Sequence, residues 1–494
     1  MATFEPPAPV RDILARIDVV RRTHGLDGYV VGGTVRDTLL GRPLRDIDIA
    51  VGGDAFAFAR RLAEVLGGHF VPLDDANGVA RVVIVAGPVM HVDIAALQGD
   101  LHADLRRRDL TIDALAAPLT GGDVIDVTSG IADLRTKTIR MNSPGAFEAD
   151  ALRLLRAARL AAELGFTIES ETVGAIRVGA VRISHAAAER RRDELARIFA
   201  LDRVEPALRL LDDLDLLDVL VPEVAGGRGV TQPENHHAFD VFEHAMHAVE
   251  AIDLMLAPIR PESPRVWIWD EVWQAFAWCE QELRAYLLEE MSEGRTRASV
   301  LKLATFLHDV AKPETRTVDS SGRIRFLGHA ERGAGTAASI MRRLRFSARE
   351  TAFVRTLVAQ HLRPVQLAAV GEVPTMRAIY RFHRDLREAA PAVLLLALAD
   401  AAGSRGPMMT REAWAHHARY MNSLLVRLRE AEGIVRAPRL LTGHDIMMEF
   451  GLSEGPLVGR LLEDLREAQA TGEVHGREAA LAFVRSRLQA GEGT

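Results

Sequence analysis

The chain has 494 residues, a formal net charge of -7 and a single cysteine, Cys279. This length exceeds what one hydrophobic core usually supports, so several domains are expected. The charge argues against a uniformly basic nucleic-acid binder, although net charge says nothing about a single groove. Because only one thiol is present, an internal disulfide is excluded and a reducing compartment is indicated.

The N-terminal residues contain no basic segment followed by an apolar one, and no run of about 18 uncharged apolar residues occurs in the chain. Neither a signal peptide nor a membrane span is therefore predicted. We expect a cytoplasmic protein.

The predicted elements change character along the chain. Residues 10–23 have the spacing of an amphipathic helix, and residues 28–118 alternate apolar strands with helices. From residue 150 onward, leucine, alanine and arginine recur at helical spacing, which predicts an all-helical remainder. The glycine- and proline-rich segment 222–233 is typical of a linker. The tryptophan-containing stretch 258–297 is a candidate insertion to which we assign no chemistry.

Two aspartates on one predicted strand form the most informative motif. Asp46 and Asp48 share one strand face because successive side chains alternate. Two carboxylates on one face can hold two Mg²⁺ ions about 3.5–4 Å apart, as an in-line displacement at phosphorus requires. Gly32 and Gly33 let the backbone approach phosphates closely. The alternative is a solvated strand end, but the flanking apolar runs favour buried strands and a site for nucleoside triphosphates.

Three motifs carry a resemblance to a known family. The motifs are Gly32-Gly-Thr-Val-Arg-Asp37, Asp46-Ile-Asp48 and Arg107-Arg-Asp-Leu-Thr-Ile-Asp-Ala114. They resemble the head of class II tRNA nucleotidyltransferases and poly(A) polymerases, which belong to the polymerase-beta-like nucleotidyltransferases. The resemblance implies an α+β fold, in which a head with a small mixed sheet and helices precedes an all-helical neck, an HD-type body and a tail. The implied domains are the head, the neck, the HD-type body and the tail, at residues 1–140, 141–225, 226–410 and 411–494.

The resemblance also implies how the base is selected. Asp150 and Arg153 match a Glu-Asp-x-x-Arg motif that reads the incoming base, with Ala149 where the family usually has Glu. A carboxylate can accept from the exocyclic amino group of cytosine or adenine, and a guanidinium can donate to their ring acceptor. Uracil and guanine would leave buried acceptors unpaired, at a cost of about 1 to 3 kcal/mol each.

Further residues of the head and neck have implied roles. Asp93 is either a third metal ligand or an exposed strand residue, and the run Glu189–Leu195 is either a helix brace beside the nucleotide or a solvated charge run. The spacing of three residues predicts that Asp150 and the arginines after it form a charged stripe on one helix; the alternative is a solvated face with Asp–Arg pairing. The remaining residues expected to contact the nucleotide or its phosphates are Arg36, Arg108, Asp109, Arg156 and Arg159.

A second constellation lies in the helical part. Its order resembles the HD superfamily of metal-dependent phosphohydrolases, with the members His244, His308, Asp309 and Asp400, joined by His329 and His361. Imidazole and carboxylate suit Mn²⁺, Fe²⁺, Co²⁺ or Ni²⁺. Such a metal could activate a water for attack on a phosphoester, with Lys312 nearby for the phosphate. Spacing alone leaves His237, His244 and His247 open as the first ligand, and the alternative is a scaffold whose histidines are merely packed.

The resemblance implies a template-independent enzyme that adds C and A from CTP and ATP to the tRNA 3′ end, with Mg²⁺ at the head. A turn at 455–459 in the tail either binds an RNA phosphate or is an ordinary helix start. The alternatives in the same class are a CC-only adder, an A-only adder and a poly(A) polymerase. An HD phosphohydrolase acting on 3′ or 2′,3′-cyclic phosphate ends of RNA is the alternative from another class. We expect no DNA or membrane partner, and the sequence leaves the oligomeric state open.

Overall fold

A computed structural model of the chain describes residues 2–44, 46–75, 77–85, 89–233, 237–257, 267–370, 374–405, 408–435 and 438–491. The chain divides into two compact units. The first contains residues 1–194 and 210–220, and the second contains residues 195–209 and 221–494. Within the described ranges, the helices all lack the length and apolar character that crossing a membrane requires.

Strands and helices alternate in the first part of the chain. The strands are β1 Thr3–Phe4, β2 Gly28–Val31, β3 Asp46–Val51, β4 His69–Asp74, β5 Val79–Val83, β6 His91–Ala96, β7 Leu115–Pro118, β8 Gly122–Asp123, β9 Ile125–Asp126, β10 Thr138–Ile139 and β11 Thr167–Ile168. The helices are α1 Ala8–Thr23, α2 Gly33–Leu39, α3 Ala55–Leu66, α4 Leu101–Arg106, α5 Gly130–Thr136, α6 Ala146–Ala149, α7 Leu152–Leu164, α8 Ser170–Gly179, α9 Ala188–Phe199, α10 Glu205–Asp213 and α11 Leu217–Leu220.

The remainder is mainly helical. Its helices are α12 Pro222–Ala225, α13 Val241–Leu256, α14 Trp267–Ala275, α15 Glu280–Leu288, α16 Arg297–Leu307, α17 Lys312–Thr315, α18 His329–Arg343, α19 Ala348–Gln360, α20 Arg363–Val370, α21 Met376–Leu386, α22 Ala390–Arg405, α23 Arg411–Val435, α24 Gly443–Phe450, α25 Pro456–Ala470 and α26 Gly476–Gly491. Two short hairpins interrupt the helices, β12 Glu290–Ser292 with β13 Arg295–Thr296 and β14 Arg316–Val318 with β15 Ile324–Phe326. The predicted all-helical remainder is wrong at these hairpins, because strands of two or three residues are too short to show a period of two.

A seven-stranded mixed sheet organises the first unit, in the order β4-β5-β6-β3-β2-β7-β9. The central strands β3 and β6 are parallel, and the other neighbouring pairs are antiparallel. Helix α3 packs against β4, β5 and β6. It begins where the Asp54 carboxylate accepts from two backbone N–H groups and ends at Gly67 in the left-handed conformation. Its buried Phe58 and Leu62 contribute to the core on the sheet.

Helix α16 is the centre of the second unit, and nearly all its residues are buried. It packs against α13, α19 and α22. Polar side chains on a buried helix of this kind lie in the protein interior, where they need hydrogen-bond or ionic partners. Helices α24, α25 and α26 share a separate apolar cluster that includes Ile446, Leu461 and Val484.

The predicted linker is not an extended connection. Pro222 occupies the first turn of α12, as its fixed φ allows. Gln232 is buried, and its side chain donates to the Phe239 carbonyl (3.2 Å). The candidate insertion lies partly outside the described residues, at 258–266, and its described part forms α14, α15 and the first hairpin.

Candidate functional site

Three carboxylates lie on neighbouring strands of the large sheet. Asp48 of β3 is the register partner of Asp93 of β6, and Asp46 is the partner of His91. Because register partners on adjacent strands point to the same face, Asp46, Asp48 and Asp93 share one face of the sheet. Ile47 lies on the opposite face and is fully buried. The structure therefore brings these three carboxylates together, and we call them the carboxylate row.

The carboxylates of the row repel one another. Burial, and then the charge of Asp93, raise the pKa of Asp48 to about 6, although Arg108 and Arg156 act in the opposite direction. The Asp48 backbone N–H donates to the Thr34 hydroxyl oxygen (2.7 Å), which fixes the strand beside α2. Oxygen ligands crowded in this way suit a divalent cation such as Mg²⁺, which relieves their repulsion.

The two glycines at the start of α2 leave room in front of Asp48. Gly32 has a φ of 63°, a conformation that side chains of L-residues rarely adopt. A Cβ atom there would lie 3.0 Å from Arg108 Nη1, and one at Gly33 would lie 3.3 Å from Asp48 Oδ2. Substitution of either glycine would therefore fill the space between the backbone and the carboxylate row.

Two basic residues that the motifs did not reveal flank the row. Arg81 donates to both oxygens of Asp93, at 2.7 and 2.8 Å. His91 Nδ1 lies 3.1 Å from Asp46 Oδ1. Both residues lie on strands of the sheet, and the signal that could have found them was the register of β5 and β6, which places Arg81 opposite Asp93.

The predicted nucleotide arginines Arg36 and Arg156 belong to one network of ion pairs, in which the Arg156 side chain is partly exposed. Arg36 is buried and pairs with Asp37 and Asp113. Arg156 pairs with Asp109 and Asp113, at 3.1 Å each. Although burial raises the pKa of Asp113, the charges of Arg36 and Arg156 hold it below its ordinary value.

Arg159 is buried, and its guanidinium pairs with Glu163 and Glu194. Like Arg36 it is bound to carboxylates inside the unit, and a contact of either side chain with the nucleotide stays a prediction. Arg108 is more accessible; it pairs with Asp104 (3.1 Å) and lies beside Gly32.

Asp150 lies before the helix that carries Arg153, and the single stripe predicted from their spacing is wrong in this respect. Helix α7 begins at Leu152, and the Asp150 carboxylate accepts from the Leu152 N–H (3.0 Å), a local bond that favours a helix start. Arg190 of α9 pairs with Asp150 at 2.6 Å. Arg153 donates to the carbonyl oxygens of Arg107 (3.2 Å) and Ala146 (3.1 Å). The run Glu189–Leu195 thus supplies a direct partner to the proposed base reader.

The second unit brings together all members of the predicted HD constellation. They come from the first turn of α13, the C-terminal ends of α16 and α19, the start of α18 and the second half of α22. Their ligand atoms form two groups, in each of which all atoms lie within 4.8 Å of one another. The first group is His244, His308, Asp309 and Asp400, and the second is Asp309, His329 and His361. Asp309 belongs to both.

The first ligand, which the sequence left open, is resolved by geometry. His244 Nε2 lies 3.1 Å from Asp309 Oδ2 and 3.3 Å from Asp400 Oδ1. His247 instead pairs with Glu250 (3.2 Å). His244 is therefore the member of helix α13 that faces both carboxylates.

Backbone carbonyls orient the histidines of the second group. The Nδ1 atoms of His329 and His361 lie 2.7 Å from the carbonyl oxygens of Phe326 and Val358. A carbonyl only accepts, so each Nδ1 carries the proton and each Nε2 presents a lone pair. Both Nε2 atoms are buried and have no hydrogen-bond partner among the described residues. They face Asp309 Oδ1 at 3.3 and 3.7 Å.

Lone pairs and a carboxylate that converge in a buried space are the donor set of a transition metal. Burial lowers the pKa of His361 to about 4, so its imidazole is neutral and able to bind a metal at pH 7. Lys312 Nζ lies 2.6 Å from Asp309 Oδ2 and 2.6 Å from the Gln232 side-chain oxygen. Its ammonium group thus lies at the edge of the group of ligands.

Known families and proteins match both units. The model of the "Poly A polymerase head domain" matches residues 28–140, and that of the "Probable RNA and SrmB- binding site of polymerase A" matches residues 165–226. The HD domain model matches residues 282–402. An A-adding tRNA nucleotidyltransferase of Deinococcus radiodurans is 36% identical over 461 residues, which cover 92% of this chain and 94% of that protein. The chain belongs to the tRNA nucleotidyltransferase family. The predicted class of enzyme is thereby confirmed.

This nucleotidyltransferase has further relatives with related names. A CC-adding tRNA nucleotidyltransferase of Thermus thermophilus is 35% identical, with 93% of each chain covered. A "Multifunctional CCA protein" of Azoarcus sp. is 32% identical, with 83% of this chain and 91% of that protein covered.

Solved structures confirm the predicted fold class of this nucleotidyltransferase. A CCA-adding enzyme in complex with ATP has a TM-score of 0.59 at 20% identity and covers 98% of this chain and 95% of its own. A Thermotoga maritima CCA-adding enzyme in complex with tRNA has a TM-score of 0.55 at 19% identity and covers 99% of this chain and 100% of its own. At these identities the likeness shows the fold alone.

The two ligand groups predict two metal ions in the second unit. All variants are compared in an Asp48→Asn background, which weakens the carboxylate row of the first unit; after incubation with Co²⁺ and gel filtration, we expect two equivalents per chain by mass spectrometry of the metal. His361→Ala should retain about one equivalent, because it removes a ligand from the second group only. Asp309→Ala should lose both, since this carboxylate is shared. The matched control is His247→Ala, on the same helix as His244 but outside both groups. Retention of two equivalents by Asp309→Ala would contradict this account of the site.

Proposed function

We propose that the enzyme builds the complete CCA end of tRNA, adding C and A from CTP and ATP to the 3′ end without a nucleic-acid template. The observation that carries the proposal is the carboxylate row on an open face of the sheet, directly in front of Gly32 and Gly33. Two alternatives are an enzyme that adds only A and an enzyme that adds only CC, because relatives with these names match the chain. A poly(A) polymerase is the third alternative.

We assign the proposed transfer step to the residues of the row. Asp46 and Asp48 would hold Mg²⁺, with Asp93 as the third carboxylate; when bound, the ion supplies charge neutralisation at the triphosphate and activation of the attacking 3′ oxygen. The glycines leave space for the triphosphate, and Arg108 is placed beside Gly32 to donate to a phosphate oxygen. The network of Arg36, Asp109, Asp113, Arg156 and Arg159 holds this wall of the site rigid.

Base selection is assigned to Asp150 and Arg153. The Asp150 carboxylate is half-exposed and can accept from an exocyclic amino group, while the backbone carbonyls that anchor Arg153 fix its direction. The pair with Arg190 holds Asp150 in its ionised, accepting form. Oδ1 accepts from the Leu152 N–H and from Arg190 Nη1, so the second lone pair of Oδ2 is left for the base.

The domain assignments remain part of the proposal. Residues 1–140 are assigned to catalysis, 141–225 to base selection and RNA binding, 226–410 to the HD-type domain and 411–494 to tRNA binding. The enzyme acts in the cytoplasm, with tRNA, CTP and ATP as its partners.

A second activity is favoured by the two metal groups. Buried imidazole nitrogens without hydrogen-bond partners among the described residues, around a shared carboxylate, suit an ion such as Mn²⁺, Fe²⁺, Co²⁺ or Ni²⁺, which when bound lowers the pKa of a water. Lys312 is placed to pair with a phosphate oxygen. We assign to this site the hydrolysis of 3′ or 2′,3′-cyclic phosphate ends of RNA.

Three tRNA transcripts test the principal proposal. They end before CCA, after the first C and after CC, and each is incubated with CTP and ATP together, one of the two being labelled. A CCA-adding enzyme extends all three to the same final length. A CC-only enzyme stops after the second C, an A-only enzyme extends only the last transcript, and a poly(A) polymerase adds A without a fixed end.

Asp46→Ala should abolish incorporation while tRNA binding persists, whereas the exposed Asp12→Ala should match the wild type. Full-rate incorporation by Asp46→Ala would contradict the assignment.

Asp150→Asn tests base selection. The amide can donate as well as accept, so the penalty against a base carbonyl should fall by about 1 to 3 kcal/mol, or roughly 5- to 150-fold in kcat/KM for CTP over UTP. The ratio is measured on the transcript that ends before CCA, with Asp12→Asn as the control. An unchanged ratio with a lowered rate would assign Asp150 a structural role alone.

A further inference from the structure

A guanidinium lies at the end of the carboxylate row. Arg81 of β5 is the register partner of Asp93 of β6, and Asp93 is in turn the partner of Asp48 of β3. Arg81, Asp93 and Asp48 therefore form one line across three adjacent strands, on the same face of the sheet. The line is fixed by backbone pairing and does not depend on a loop.

The contact between Arg81 and Asp93 is bidentate. Nε donates to Oδ1 and Nη2 donates to Oδ2, at 2.7 and 2.8 Å, which is the strong geometry of this pair of groups. Both side chains are less than one-third exposed, so solvent screens the pair only in part. The three carboxylates thus differ in their partners: Asp46 has His91, Asp48 has Thr34 and Asp93 has a permanent positive charge.

This charge has two consequences for a cation. It neutralises one of the carboxylates on which a divalent ion depends, and it repels that ion directly, since both are positive. It also holds the plane of the Asp93 carboxylate in one orientation beside Asp48, because the guanidinium fork is planar. Removing the guanidinium should therefore strengthen cation binding while loosening the geometry of the third carboxylate.

We propose that Arg81 is a positioning residue that weakens divalent-cation binding by the carboxylate row in the absence of nucleotide and orients Asp93 for the transfer reaction. With moderate affinity, the row releases divalent ions readily in the absence of nucleotide. It binds them when a nucleotide enters together with its own metal ion. The inference rests on the proposed role of the row as the metal site of the enzyme.

The test is Mn²⁺ binding without nucleotide, followed by the electron paramagnetic resonance signal of free Mn²⁺. Because the second unit also offers metal ligands, binding by the row is defined as the part that Asp48→Asn removes. Arg81→Met, which keeps the length of the side chain and loses the charge, should bind Mn²⁺ several-fold more tightly at the row and show a lower kcat with CTP. Arg81→Lys keeps the charge without the fork, so its affinity should stay near the wild-type value while kcat falls.

Two further variants separate the outcomes. Arg60→Met is the matched control, because Arg60 lies over the Phe70 ring (4.2 Å) on strand β4 and away from the row. In the Asp93→Asn background, Arg81→Met should raise the affinity by a smaller factor than in the wild type, because only the direct repulsion of the ion remains to be removed. Unchanged or weaker Mn²⁺ binding by Arg81→Met would overturn this inference alone. If Asp48→Asn altered neither Mn²⁺ binding nor incorporation, the proposed role of the row would fail first.

Discussion

The central constraint in this enzyme is the register between β3 and β6, which holds two carboxylates side by side. Asp48 and Asp93 cannot move apart without breaking the parallel pairing of central strands, whose opposite face is buried. Burial, and then the charge of Asp93, raise the pKa of Asp48. A divalent cation bound by both oxygen ligands would relieve this repulsion.

The surrounding charges divide into two classes. Arg36 and Arg159 are buried and paired with carboxylates of the same unit. Arg81, Arg108 and Arg190 are closer to solvent and touch the row, the glycine turn and Asp150 respectively. The net negative charge of the chain is thus compatible with a site that binds polyanions, because binding depends on the charges around the site and not on the total.

The sequence predicted those features that depend on local periodicity. Alternation along β3 placed Asp46 and Asp48 on one face, and the alternation of strands with helices in the first part of the chain was predicted. The order of histidines and aspartates predicted the members of both metal groups, but not that Asp309 is shared between them. Features that depend on tertiary pairing were missed. The Arg81–Asp93 pair requires the register of β5 with β6, and the burial of Arg36 requires Asp113 on a distant segment.

The error at Asp150 has a different cause. A spacing of three residues is compatible with one helix, but an aspartate can also accept from the N–H two residues on and remain outside the helix. Asp150 does so, and α7 begins two residues later, at Leu152. The Asp150 carboxylate pairs with Arg190 of α9, a contact that the residues adjacent to Asp150 in sequence do not reveal.

The most direct measurement of the central claim is a crystal structure of the enzyme with Mn²⁺ and a non-hydrolysable CTP analogue, with the metal located by its anomalous scattering. The account predicts metal density in contact with oxygens of both Asp46 and Asp48, with the triphosphate in front of Gly32 and Gly33. Density for the metal and the triphosphate elsewhere, with both aspartates turned away from any cation, would contradict it.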